Sequence, residues 1–171
     1  MKLVAKIKHI PVVVVGGKPD AKNLLVAFDG THGAMRGVAC VAALVGTSDH
    51  HLQLYSLISH QGKFWVGDEE FFIADNSDDP KETVEHRIGP HLGEARSRLL
   101  EEGMAPERIS IKIHAVNRDR AAHIVEEAMR NDFGGVVLGR RGLITFIDEY
   151  FVGRVSNQVL KLADQLAVWI I

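Results

Sequence analysis

The sequence predicts an α/β fold: an open, mostly parallel five-stranded sheet with helices on both faces, plus an extra strand at the N-terminus. Three observations support it. Short apolar runs of strand length alternate with stretches of helical period, the pattern of successive strand–helix–strand units. The run from Asn23 to Phe28 is almost wholly apolar rather than alternating, as a strand covered on both faces must be. The helical stretches, by contrast, show one apolar face, as in Val38, Val41, Ala42 and Val45.

The first organised piece is Ile10-Pro11-Val12-Val13-Val14-Val15, a β-branched run with Pro11 near its start, ended by Gly16-Gly17. Lys18 to Lys22 is a polar connector, so residues 1–22 read as an added strand and linker ahead of a domain over residues 23–171. The Asn23–Phe28 strand stops at Asp29-Gly30-Thr31, and a helix is expected from about Ala34 to Gly46. Gly33 and Gly37 weaken that helix intrinsically, so packing must hold it.

Leu52 to Ile58 is the next strand. Phe64-Trp65-Val66 and Phe71-Phe72-Ile73 flank Gly67-Asp68-Glu69-Glu70 as a small hairpin or flap. Three roles are open for it: a lid, part of a subunit interface, or a loop anchored in the core. An acidic stretch, Asp75 to Pro80, leads into a helix over Lys81–Glu102, where Val84, Ile88, Leu92 and Leu99 keep a helical period. Pro90 removes one backbone bond and is expected to kink it. Gly103 is the expected C-terminal cap.

Arg108 to Val116 alternates cleanly, with Ile109, Ile111, Ile113 and Ala115 on one face and Ser110, Lys112 and His114 on the other. Such a strand belongs near a sheet edge. Arg118 to Asn131 is a helix with Asp119 placed to cap it. Val136-Val137-Leu138 is a short buried strand, followed by Gly139-Arg140-Arg141-Gly142, a helix opening at Gly153-Arg154-Val155-Ser156, and a last strand over Ala167–Ile171.

Composition narrows the function. The 171 residues are 46% hydrophobic and 25% charged, which suits one globular domain. A formal net charge of -2 gives no support to a nucleic-acid partner. Cys40, the single cysteine, allows neither an intramolecular disulfide nor a cysteine-based zinc cluster, and it reads as a buried, inert thiol in a helix. No run is long enough to span a membrane, and Met1 to Lys6 has no signal-type apolar stretch, so a cytoplasmic location is expected. The nine histidines are scattered except for His50-His51, which reads as a solvated turn. Neither a zinc-protease helix, a Gly-x-Ser-x-Gly elbow nor a P-loop occurs, and no catalytic residue or metal site is assigned.

Two strand ends carry distinctive residues: Asp29-Gly30-Thr31 and Gly139-Arg140-Arg141-Gly142. Glycines after a buried strand let backbone approach a ligand, and a helix N-terminus beyond them offers unpaired N–H groups to an anion. In parallel sheets the ligand sits at the carboxyl ends of strands where the winding reverses. Two readings of Asp29 stand side by side: it accepts from a ribose hydroxyl or holds a metal-bound water, or it caps the helix behind it.

The pattern Leu24-Leu25-Val26-Ala27-Phe28-Asp29-Gly30-Thr31, the glycine loop, Gly153-Arg154-Val155-Ser156-Asn157-Gln158-Val159-Leu160 and the ending Ala167-Val168-Trp169-Ile170-Ile171 resemble the universal stress protein family. The resemblance covers nearly all of Asn23 to Ile171. It implies strand order 3-2-1-4-5, counted from the Asn23–Phe28 strand, and a homodimer made by antiparallel pairing of the final strands. It further implies an adenine nucleotide, ATP with or without Mg²⁺. Ala27, Phe28 and Asp29 would lie near adenine and ribose, with Leu57 offering backbone groups to adenine. Leu138, Gly139, Arg141 and Gly142 would line ribose and phosphates, and Gly153, Arg154, Val155 and Ser156 the phosphate end.

The chain departs from the family pattern in two places. Ten residues separate Gly142 from Gly153 where the pattern has nine, and Arg154 stands where a hydroxyl is expected. An arginine there either grips phosphates or extends into solvent. Asp148 and Glu149 add negative charge to the same loop, opposed by Arg140 and Arg141. The stretch His9 to Gly17 resembles the closing strand of a preceding module, and it is expected to pair with Leu166–Ile171 or with a neighbouring subunit. The expected function is a stress-response regulatory dimer that binds adenine nucleotide and is not an enzyme. The alternative is an interaction module of the same family that binds no nucleotide and dimerises through its edge strands.

Overall fold

The computed structural model describes residues 10–17, 22–59, 62–66, 69–73, 80–116, 119–140 and 154–171. In chain order the elements are β1 (Val12–Val15), β2 (Asn23–Ala27), α1 (His32–Val45), β3 (His51–Ser59), β4 (Gly62–Val66), β5 (Glu69–Ile73) and α2 (Pro80–Glu101). A 3₁₀ turn (Pro106–Arg108) then leads to β6 (Ile109–Val116), α3 (Arg120–Arg130), β7 (Gly135–Leu138), α4 (Arg154–Leu162) and β8 (Ala167–Ile170).

Six strands form one sheet in the order β1-β8-β7-β2-β3-β6. Within it β2, β3, β6, β7 and β8 are parallel, and β1 runs antiparallel to them. Counted from β2, the five parallel strands have the expected order. The added N-terminal strand joins the same sheet as its sixth member. β4 and β5 pair separately as an antiparallel hairpin, Gly62 opposite Ile73.

Strand alternation divides the core into two layers. Leu24, Val26, Leu52 and Leu54 face α1 and α2, packing with Val38, Val41, Ile88 and Leu92. Leu25, Tyr55, Val136 and Val168 face α3 and α4, packing with Ala121, Ile124, Ala128 and Val159. β2 and β7 supply residues to both layers, which explains why their interiors lack polar positions.

The helix ends follow local chemistry. α2 continues unbroken through Pro90, held by buried Ile88, Leu92, Ala95 and Leu99. It ends at Gly103, whose φ of +89° is open to glycine without strain. There the Gly103 N–H donates to the Leu100 carbonyl at 3.0 Å and the Met104 N–H to that of Leu99 at 3.1 Å, the paired bonds of a Schellman cap. Asp119 caps α3 as expected, accepting from the Ala122 N–H at 3.1 Å. β6 is the far edge strand. Its polar face carries Lys112, whose ammonium donates to both carboxylate oxygens of Glu127 on α3 at 2.7 and 2.8 Å. Cys40, expected to be buried, is only partly so, because its position on α1 lies beside the core-facing stripe of Val38, Val41 and Ala42; the burial it has pushes its thiol pKa up.

β1 pairs within its own chain. Val12, Val13, Val14 and Val15 lie opposite Ile170, Trp169, Val168 and Ala167. β8 is therefore bordered on both sides, by β7 and by β1. The pairing of β8 with the β8 of a second copy, implied by the family resemblance, meets an edge that already holds a strand.

Candidate functional site

β2 and β7 are adjacent, with Ala27 and Leu138 as register partners at their carboxyl ends. From β2 the chain winds outward to β3 and β6; from β7 it winds the opposite way, to β8. The crevice beyond Ala27 and Leu138 is thus the switch point of the sheet. Of the residues expected at the site, Ala27, Phe28, Asp29, Leu138 and Gly139 meet there.

They meet in different conditions. Phe28 is 2% exposed and its ring belongs to the α1–α2 core layer, so it can offer a ligand only its backbone. Even there, its N–H already donates to the Tyr55 carbonyl at 2.9 Å. Asp29 begins a tight turn through Gly30, which has φ +78°. Oδ1 of Asp29 accepts from the Thr31 N–H at 3.1 Å and from the Thr31 hydroxyl at 2.7 Å. The Thr31 hydroxyl in turn accepts from the Ala34 N–H at 3.2 Å, and Thr31 is the N-cap of α1. The capping reading of Asp29 is therefore corrected in its detail. Thr31 caps the helix, and Asp29 orients Thr31.

Gly139 sits directly against the start of α1. A Cβ built on it would overlap the backbone of Gly33 and the Ala34 nitrogen. The absence of a side chain at position 139 is what lets the end of β7 reach the first turn of α1. Beyond it, the Arg140 N–H donates to the Ile171 carbonyl at 2.7 Å, and the Ile171 N–H donates to that of Leu138 at 3.0 Å. The Arg140 carbonyl accepts from the Arg36 guanidinium at 2.8 Å. Burial lowers the pKa of the Arg140 guanidinium from its ordinary value. Arg141, Gly142 and Gly153, expected to complete the loop, lie outside the described residues.

Leu57 is the register partner of His114 on β6 and packs against the α3–α4 core layer, one strand away from β2. Arg154 opens α4 with an exposed side chain, and Val155 is partly buried. Ser156, at 7% exposure, is turned into the core side of α4. Its hydroxyl is thus poorly placed to replace the one missing at position 154.

Thr31 closes one of the two distinctive strand ends, but the residues expected to contact a ligand included neither it nor Gly33 and Arg36. Thr31 had a legible signal, a threonine just before an apolar helical run. Gly33 and Arg36 had none, since their partners lie on β7 and its loop. Beside the crevice, a shallow groove of 630 Å³ between α1 and α2 is lined by Arg36, Glu94, Arg98 and Glu101, among others. Among the described residues no group of three His, Cys, Asp or Glu side chains is placed to hold a metal ion. His50 lies in a turn, its Nδ1 2.7 Å from the Ser48 hydroxyl. No helix among the described residues is long and apolar enough to cross a membrane.

A family model described as the universal stress protein family matches residues 20–171. The chain is similar in fold to a solved universal stress family protein from Burkholderia pseudomallei, at 18% identity and TM-score 0.60 over 88% of this chain and 95% of that one. It is also similar to a universal stress protein in complex with cAMP, at 18% identity and TM-score 0.60 over 87% and 95%. A third likeness is to the Archaeoglobus fulgidus universal stress protein in complex with dAMP, at 19% identity and TM-score 0.52 over 87% and 96%. Comparison with curated proteins finds no match.

Proposed function

The chain belongs to the universal stress protein family, and on that footing we propose that it is a regulatory protein without a catalytic centre that binds an adenine nucleotide, ATP with Mg²⁺ foremost, in the crevice beyond β2 and β7. The observation that supports this most directly is the register pairing of Ala27 with Leu138 at the point where the strand order reverses. The cAMP and dAMP complexes of proteins with this fold add support for the adenine class.

In this reading Ala27 and the backbone of Phe28 flank the base, Leu57 offers backbone groups from β3, and Asp29 receives a ribose hydroxyl. Leu138, Gly139, Arg141 and Gly142 follow the ribose and phosphates. Gly153 and the first turn of α4 close the phosphate end, Arg154 with its side chain and Val155 and Ser156 with their backbone. The guanidinium of Arg154, exposed at a helix N-terminus, takes over from the hydroxyl the family pattern carries there. Residues 1–22 are an appended strand and linker resembling the end of a preceding module, and residues 23–171 are the family domain. The start of the family match at residue 20, after β1, supports that division.

Calorimetric titration of ATP with magnesium into the purified protein, beside a Gly142→Asp variant, tests the reading. Binding by the parent and its loss in the variant are expected; silence of the parent at millimolar ATP overturns it. A second reading, an interaction module that binds no nucleotide, is favoured by the exposed valines of β1. It predicts that silence.

A further inference from the structure

Without β1, strand β8 would end the sheet with a row of unpaired N–H and C=O groups. Such an apolar edge is a template for any strand that can reach it, above all for the same strand of another copy. β8 carries none of the usual protections. Its four residues are Ala167-Val168-Trp169-Ile170, without a charge or a proline. What covers it is β1, in unbroken antiparallel register over all four positions.

The fit continues past the ladder. The Gly16 N–H donates to the Leu166 carbonyl at 3.1 Å, extending the pairing by one bond beyond Val15. A side chain at Gly16 would overlap the Asp164 carbonyl, and one at Gly17 would collide with Gln165. Gly17 also has φ +50°, a conformation suited to glycine. The chain after β1 is therefore seated on the α4–β8 turn by two glycines. The end of β1 and the start of β2 lie at the same end of the sheet. By contrast, Val15 remains 66% exposed and Val13 42%. The strand is held by its backbone ladder and its glycine seat, with little side-chain burial.

We propose that β1 is an in-chain substitute for a partner strand: docked, it withholds the β8 edge from a second copy, and released, it lets two copies pair through β8. The segment that covers the edge is thereby a gate on self-assembly, independent of whether the crevice between β2 and β7 takes a nucleotide.

Two variants test this. In a Cys40→Ser background, Val14→Cys with Val168→Cys places one thiol on each member of a register pair. On oxidation the expected product is an intrachain disulfide that leaves the molecule at the parent's mass. A predominant covalent dimer overturns the proposal, because β1 would then be docked on another copy. Gly16→Ala unseats β1. Light scattering at matched concentration is expected to show a mass up to twice the parent's, with faster hydrogen exchange at residues 12–15, reversed when the disulfide lock is added to this variant. Faster exchange at those amides with no change in mass overturns the proposal.

Discussion

Gly139 at the end of β7 rests on Gly33 in the first turn of α1, backbone against backbone, with no space for a Cβ on residue 139. Gly139 is thus a packing requirement of the sheet–helix junction before it is anything to a ligand. Gly139→Ala must force two backbone segments apart, an overpacking effect expected to cost about 1–3 kcal/mol or more. Gly37, one turn along α1, is the internal control. A Cβ there would stand 3.6 Å from Val137 Cγ1, an ordinary contact. Gly37→Ala should be neutral or stabilising by up to about 1 kcal/mol through helix propensity. Urea midpoints with unchanged slopes separate the two.

The Asp29–Thr31–Ala34 chain of hydrogen bonds yields a different separation. Thr31→Ala removes the α1 cap and should lower stability by about 1 kcal/mol. Under the proposed function it should leave most of the nucleotide affinity intact. Asp29→Ala should lower both, because it orients Thr31 and, in the proposed reading, also receives the ribose. Urea melts run beside nucleotide titrations measure the split; equal affinity losses in the two variants would remove Asp29 from the ligand's contacts.

Arg154 should act on the phosphates alone. Arg154→Ala is expected to weaken ATP binding about tenfold, in line with one lost charge-assisted hydrogen bond. It should have less effect on AMP and should reduce the salt dependence of ATP binding. Calorimetry with both nucleotides at two ionic strengths reads this out. Unchanged ATP affinity would mean that the side chain serves only the surface.

Tyr55, at 2% exposure under α3, introduces an alkaline limit to stability. Burial pushes its phenol up to about 12, with the Glu127 carboxylate adding to the effect. In the unfolded chain the same phenol titrates at about 10. Between those values the unfolded state has released a proton that the folded state keeps. The contribution is therefore complete below about pH 10 and is lost as pH rises toward 12. In urea melts over this range the parent should lose stability more steeply than Tyr55→Phe, and matching slopes would refute the assignment.

The parallel-sheet fold, the order of its elements and the two distinctive strand ends were legible in the sequence, because each depends on local pattern. Covered strands such as β2 and β7 need unbroken apolar residues, helices need a one-sided period, and caps such as Asp119 and Gly103 need their residue types in place. Only the tertiary structure decided how the crevice is built. Arg36 and Arg140, bonded across 104 residues, carry no mark of each other in sequence, and neither do Gly33 and Gly139. The same holds for β1. Four valines need a partner strand, but that the partner lies in the same chain rests on the β1–β8 register and on the glycine seat at Asp164–Leu166. Local composition sets which elements form; the approach of backbones distant along the chain sets which of them touch.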